Sequence, residues 1–202
     1  PEWQQFPAGA AFDALYDVSA LTAIEAARVN SEAIALTLSE VGVNVNCLPL
    51  LDVRVPETTA AIGDRALGSD PMRVAAMGRA ILDGLQTGGV VGVVKHMPGH
   101  GRAIIDSHHD LPTVSASKGD LEQDFAPFRA LRDLPMAMTA HLVFAALDGE
   151  RPATQSPTMI RVIREEIGFQ GLLMSDDLNM QALAGTLADR TARTIAAGVD
   201  IA

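Results

Sequence analysis

At 202 residues, 48% of them hydrophobic, the chain can bury a sizeable core within one domain. A formal net charge of −10 excludes an electrostatic nucleic-acid binder, which needs Lys and Arg clustered against phosphates; a neutral or small polar ligand fits better. Cys47 is the single cysteine and sits in an apolar run, so a buried thiol is expected, no internal disulfide can form, and a reducing compartment is permitted. No apolar run reaches the roughly 18–20 residues of a membrane span. The opening residues carry no secretory pattern, although the chain begins with Pro1 rather than Met.

Taken in order, strands and helices alternate. Residues 20–41 carry apolar side chains at helical spacing, and Gly42 is a plausible stop. NVNCLPLLDV (44–53) reads as a strand ending in Asp52. Asp70 and Pro71 look like an N-cap and a first helical position, opening a helix that Gly88 and Gly89 stop. A second strand, VVGVVK (90–95), leads into a long polar loop. A short helix is predicted near 124–132, because Pro127 fits only within a first turn. PMAMTAH (135–141) is the third strand, Ser156 and Pro157 open a helix that Gly168 closes, and GLLMS (171–175) is the fourth. A helix near 186–197 ends at Gly198, and VDIA (199–202) reads as the start of a fifth strand.

Nearly continuous apolar strands alternating with helices predict a parallel sheet covered by helices. Polar groups follow each strand: Asp52 and Arg65, Lys95 through His108, His141, then Asp176 and Asp177. Delivery of polar groups from one end of consecutive strands favours an α/β (β/α)₈ TIM barrel over a doubly wound sheet. A complete barrel takes about 250 residues, so a partial barrel is expected.

The segment 95–112, KHMPGHGRAIIDSHHDLP, holds four of the five histidines. Asp106 lies two residues before His108 and can orient its imidazole as a proton shuttle. Asp176, at the end of the fourth strand, is suited to act as nucleophile, base, metal ligand or cap; Asp177 suits a helix N-cap ahead of 178–183. Lys95 and His96 can donate hydrogen bonds to ligand hydroxyls. Metal ligation by His96, His100 and His108 is the alternative, but Pro98 and Gly99 between the first two prevent one helical face from presenting them.

With these motifs assembled, the chain resembles the family 3 glycoside hydrolases, and within them the bacterial β-N-acetylhexosaminidase (NagZ-like) branch that recycles peptidoglycan. The resemblance rests on LPLLDV (48–53), AAIGDRALGSDP (60–71), KHMPGHG with DSHHDLP (95–112), MTAHLVF (138–144) and GLLMSDDLNM (171–180). It implies that residues 1–202 are an N-terminal-type catalytic domain, with strands four to seven and the start of eight present. Strands ahead of these, with an Asp-x-Glu-Gly-Gly segment, would lie upstream. A half barrel exposes two sheet edges, so these residues alone are expected to be inactive and poorly folded. The resemblance further implies a cytoplasmic retaining exo-β-N-acetylglucosaminidase acting on GlcNAc-anhydro-MurNAc-peptides. Asp176 would be the nucleophile, His108 with Asp106 the acid/base dyad, and Arg65, Lys95 and His96 the sugar-binding residues. Gly63-Asp64-Arg65 is a mild variant of the family's Gly-Glu-Arg. The expected partner is a small carbohydrate, with no cofactor, metal, nucleic acid or membrane; a monomer is favoured. Two alternatives remain at this point: a metal-dependent hydrolase using the histidine cluster, and a phosphorylase in which phosphate replaces water.

Overall fold

The strands pair in parallel and in chain order. The computed structural model describes residues 3–107 and 110–202. Strand β1 (Val45–Asn46) pairs with β2 (Val91–Gly92), and Leu50 bridges Lys95 further along the same edge. Strand β3 (Val94–Met97) pairs with β5 (Met136–Thr139), β5 with β7 (Leu172–Met174), and Met174 bridges Ile201. Apart from the two-residue strands β4 (Thr113–Val114) and β6 (Val143–Phe144), which pair with each other, paired strands follow one another along the chain, as in a barrel rather than a doubly wound sheet. The first four predicted strands are present at least in part, and the predicted fifth is only an isolated bridge at Ile201.

Helices α1 (Gly9–Val18), α2 (Ala20–Ser39), α3 (Pro71–Thr87), α4 (Lys118–Ala130), α5 (Pro157–Arg161) and α6 (Leu187–Ala197) cover the outer face. Val94, Ala137 and Leu173 are partners in register across three strands, and all are 0% exposed beneath this layer. Phe125 and Phe128 of α4 and Phe169 fill the same core. Burying a side chain of this size contributes roughly 1.5–3 kcal/mol.

Helix starts follow the predicted chemistry. The Asp70 carboxylate accepts the Arg73 N–H at 2.7 Å, with Pro71 in the first turn, and the Ser156 hydroxyl accepts the Met159 N–H. The predicted stop at Gly168 holds, with φ of 86° after the π-helical turn Val162–Ile167.

Four readings need correction. Cys47, expected to be a buried thiol, is only half-buried. Helix α1 was not foreseen, although Phe12, Leu15 and Tyr16 stand at helical spacing within it. Helix α4 begins at Lys118, not near Asp124, because the Ser117 hydroxyl caps the Asp120 N–H. Pro127 therefore lies tenth of thirteen residues, buried inside the helix, where only a first-turn place was expected. Burial of Leu121, Phe125, Pro127 and Phe128 in the core outweighs the lost backbone hydrogen bond. Residues 178–183 form turns rather than a helix, although Asp177 does cap the first of them.

One feature near the site left no trace in the sequence pattern. Beyond the strand ends, β4 (Thr113–Val114) pairs in parallel with β6 (Val143–Phe144). This short ladder, with the Val143 N–H on the Pro112 carbonyl, ties the chain at Pro112 to the segment that follows β5.

Candidate active site

Four consecutive strands deliver polar groups to one end of the sheet, as the sequence predicts. The deepest is Asp52, 0% exposed. Its Oδ1 accepts the backbone N–H of His96 at 3.2 Å and of His100 at 2.7 Å, and its Oδ2 lies 2.8 Å from His96 Nδ1. Burial works against the charged form most strongly. The His96 ring, its hydrogen bond and His100 nevertheless hold the Asp52 carboxyl below its ordinary pKa. An ionised carboxylate only accepts, so His96 Nδ1 carries the proton of that bond.

The other ring nitrogen, His96 Nε2, stands 3.8 Å from Asp176 Oδ2. Asp176 follows β7 and its side chain is 24% exposed, half-open to a cavity of about 450 Å³ lined by Met138, Met174, Asn179, Leu187 and Thr191. His96 and Asp176 come from strands that do not pair with one another, since β5 lies between β3 and β7. Their approach is a product of the fold.

His141, after β5, supports the same corner. Its Nε2 donates to the Asp177 carbonyl at 3.1 Å, and its Nδ1 lies 2.8 Å from the Thr154 hydroxyl, which also contacts Thr139. Burial is the main cause that pushes the His141 pKa down, against the pull of Asp176. Asp177 accepts the Asn179 N–H at 2.8 Å, so it turns the chain after Asp176.

The loop after β3 is built on close approach. A Cβ on Gly101 would stand 1.8 Å from the Val53 carbonyl oxygen, so only glycine lets the loop lie against the Asp52 segment. His100 is buried, with Nε2 3.3 Å from the Ser107 hydroxyl. Burial lowers its pKa to about 4, with Asp52 opposing. Arg102 donates to Asp124 at 2.6 Å; Asp124 is 2% exposed, and burial raises its pKa although Arg102 pulls it down.

Of the predicted site residues, the structure brings His96 and Asp176 together, with Lys95 adjoining in β3. Asp106 lies in the following loop, its carbonyl accepting the Asp110 N–H. His108, predicted to move the proton, and His109 lie outside the described residues. Arg65 is exposed in the turn Gly63–Arg65 and donates to the Ala61 carbonyl. Among the described residues no three His, Cys, Asp or Glu side chains gather to hold a metal ion; the alternative metal set includes His108. Asp52 and His141 were read among the strand-end polar groups but given no role, and Arg102 and Asp124 were not singled out. A lone acid closing an apolar strand was the available signal for Asp52, and MTAH for His141.

The model for the glycosyl hydrolase family 3 N-terminal domain matches residues 2–202. The chain belongs to that family. A β-hexosaminidase of Bordetella avium is 32% identical over 200 residues, covering 96% of this chain and 57% of the relative. Among solved structures, NagZ from Neisseria gonorrhoeae in complex with N-trifluoroacetyl-D-glucosamine superposes with a TM-score of 0.90 at 34% identity, covering 98% of this chain and 58% of that one. LpqI from M. tuberculosis gives a TM-score of 0.87 at 32% identity, covering 96% and 58%. The chain thus spans a little over half the length of these relatives. As a family 3 N-terminal domain it is TIM-barrel-like, which accounts for the parallel strands in chain order. Among the described residues, no helix is long and apolar enough to cross a membrane.

Proposed function

We propose that the chain is the catalytic-domain portion of a retaining exo-β-N-acetylglucosaminidase, with its strands standing as four to seven and the start of eight of the barrel. The observation that carries this reading is the 3.8 Å approach of His96 to Asp176 at the strand ends, in a chain of this family. It puts a ring able to hold a sugar hydroxyl beside a half-exposed carboxylate.

In the proposed reaction Asp176 attacks the anomeric carbon of a terminal β-linked GlcNAc. The glycosidic C–O bond breaks and a glycosyl ester on Asp176 forms. His108, oriented by Asp106, gives its proton to the leaving oxygen, then takes one from the water that cleaves the ester. Retaining glycosidases ordinarily use two carboxyl groups about 5–5.5 Å apart, so a histidine in one role is a departure whose proton carrier is neutral once spent. Lys95, His96 and Arg65 hold the sugar. GlcNAc-anhydro-MurNAc-peptides, released in a cytoplasmic setting, are the proposed substrate. The β-hexosaminidase and NagZ names of the relatives support the sugar specificity.

Replacing Asp176 by Asn should reduce hydrolysis of 4-nitrophenyl β-GlcNAc by at least about 10³-fold. A fluoro-sugar reagent should label the unaltered protein at Asp176; a label on any other residue overturns the nucleophile assignment. Turnover that requires phosphate, with a sugar phosphate as product, would replace hydrolysis by phosphorolysis.

A further inference from the structure

Asp52 is a carboxylate with no exposed surface, in a place where an apolar strand could have ended on an apolar side chain. Burying a charge is strongly disfavoured unless every oxygen is matched. Here both are, and all three matched groups belong to one segment: the backbone N–H of His96, the backbone N–H of His100 and the His96 ring. Asp52 touches neither Lys95 nor Asp176 in these bonds. It acts on the ring between them.

We propose that Asp52 is a positioning residue for the glycoside hydrolysis proposed above: it locks the His96 ring with Nδ1–H turned inward, so that Nε2 faces Asp176 and the sugar. Without an acceptor at Nδ1 the ring is free to rotate, and the face presented to the reacting carbon is no longer defined. The two backbone bonds serve the same end by fixing where the ring begins. Through His100, whose Nε2 reaches Ser107, the same carboxylate also borders the loop that carries Asp106. The role rests on the reaction proposed above; the ring lock itself does not.

The first test needs no substrate. Nitrogen-15 NMR of the ring in the unaltered protein at neutral pH should show a proton bonded to His96 Nδ1; a bare Nδ1 overturns the proposal. The second is a cycle on 4-nitrophenyl β-GlcNAc hydrolysis. Asp52→Asn keeps one carbonyl oxygen for the backbone N–H groups but sets an amide N–H₂ against Nδ1–H. It should lower kcat/KM roughly 10²- to 10⁴-fold while the far-ultraviolet circular dichroism stays unchanged. Added to a His96→Asn background, the same substitution should cost less than about threefold, because the ring it positions is gone. Equal losses in both backgrounds would make Asp52 a purely structural residue and overturn the proposal. If Asp52→Asn fails to fold, the protonation state of Nδ1 in the unaltered protein decides. An unaltered full-length protein containing this chain that carries Nδ1–H yet never turns over a GlcNAc glycoside would sink the proposed reaction and leave the ring lock standing.

Discussion

Two adjoining stretches of the site are held in different ways. Residues 95–101 lie at the end of a strand, buried almost throughout, with backbone and ring bonded to Asp52. Residues 102–107 and 110–112 lie beyond strand β3. Ile104 and Ile105 are 66% and 44% exposed, and the loop is fastened near its start by Arg102 to Asp124 and by His100 to Ser107. Its far end is fastened where the Val143 N–H meets the Pro112 carbonyl, beside the β4–β6 ladder. The difference matches the division of labour proposed here. A nucleophile and a sugar-holding ring must keep one geometry, which a parallel ladder and a buried carboxylate provide. The proposed proton carrier, His108, would serve two successive steps on one face of the sugar.

The comparison can be broken in three places, beginning with the largest effect. Replacing His108 by Ala should slow hydrolysis of alkyl β-GlcNAc glycosides by about 10²- to 10⁴-fold, while 2,4-dinitrophenyl β-GlcNAc, which leaves without a proton, should react to form the glycosyl-enzyme almost unimpaired. Equal losses for good and poor leaving groups would remove His108 from the acid role and blur the two stretches into one.

Next, Arg102→Ala should unfasten the loop and strand a buried charge. Asp124 then keeps its burial without its partner, at about 3–5 kcal/mol, lowering the melting temperature by roughly 10 °C. Adding Asp124→Asn should recover part of that loss by removing the charge. A double variant no better than the single one would show that the pair is not what holds the loop.

The smallest effect is on pH dependence. Folding keeps His100 neutral down to about pH 4, whereas the unfolded chain binds that proton near its ordinary value of about 6.5. The unfolded state therefore holds more protons between these limits, so stability is full above pH 6.5 and is lost as pH falls toward 4, by about 3 kcal/mol in all. His141 is shifted the same way, and Asp52 adds its own loss only below the ordinary carboxylate range. Urea midpoints measured from pH 7 to pH 4.5 should fall less steeply in His100→Gln. Parallel curves for the two proteins would mean that His100 is charged in the fold.

Most of the fold was legible because its signals are local. Apolar runs ending in polar residues marked the strands, and Asp70-Pro71, Ser156-Pro157 and Gly168 marked helix ends, since caps, fixed φ angles and left-handed turns involve only a few consecutive residues. Helix α4 escaped because a proline reads as a boundary, and core contacts from distant residues overruled it. The candidate site was legible as residue types at strand ends: Lys95, His96 and Asp176 were singled out by position alone. Which of them meet was not, because contact between β3 and β7 depends on how three strands lie side by side.

The sequence by itself determined the alternating elements, the parallel order and the end of the sheet at which chemistry collects, because periodicity and chain order carry that information. Only the tertiary structure decided that His96 stands between Asp52 and Asp176. Those two carboxylates are 124 residues apart in sequence (176 − 52 = 124), and three-dimensional packing alone sets their distance from one ring.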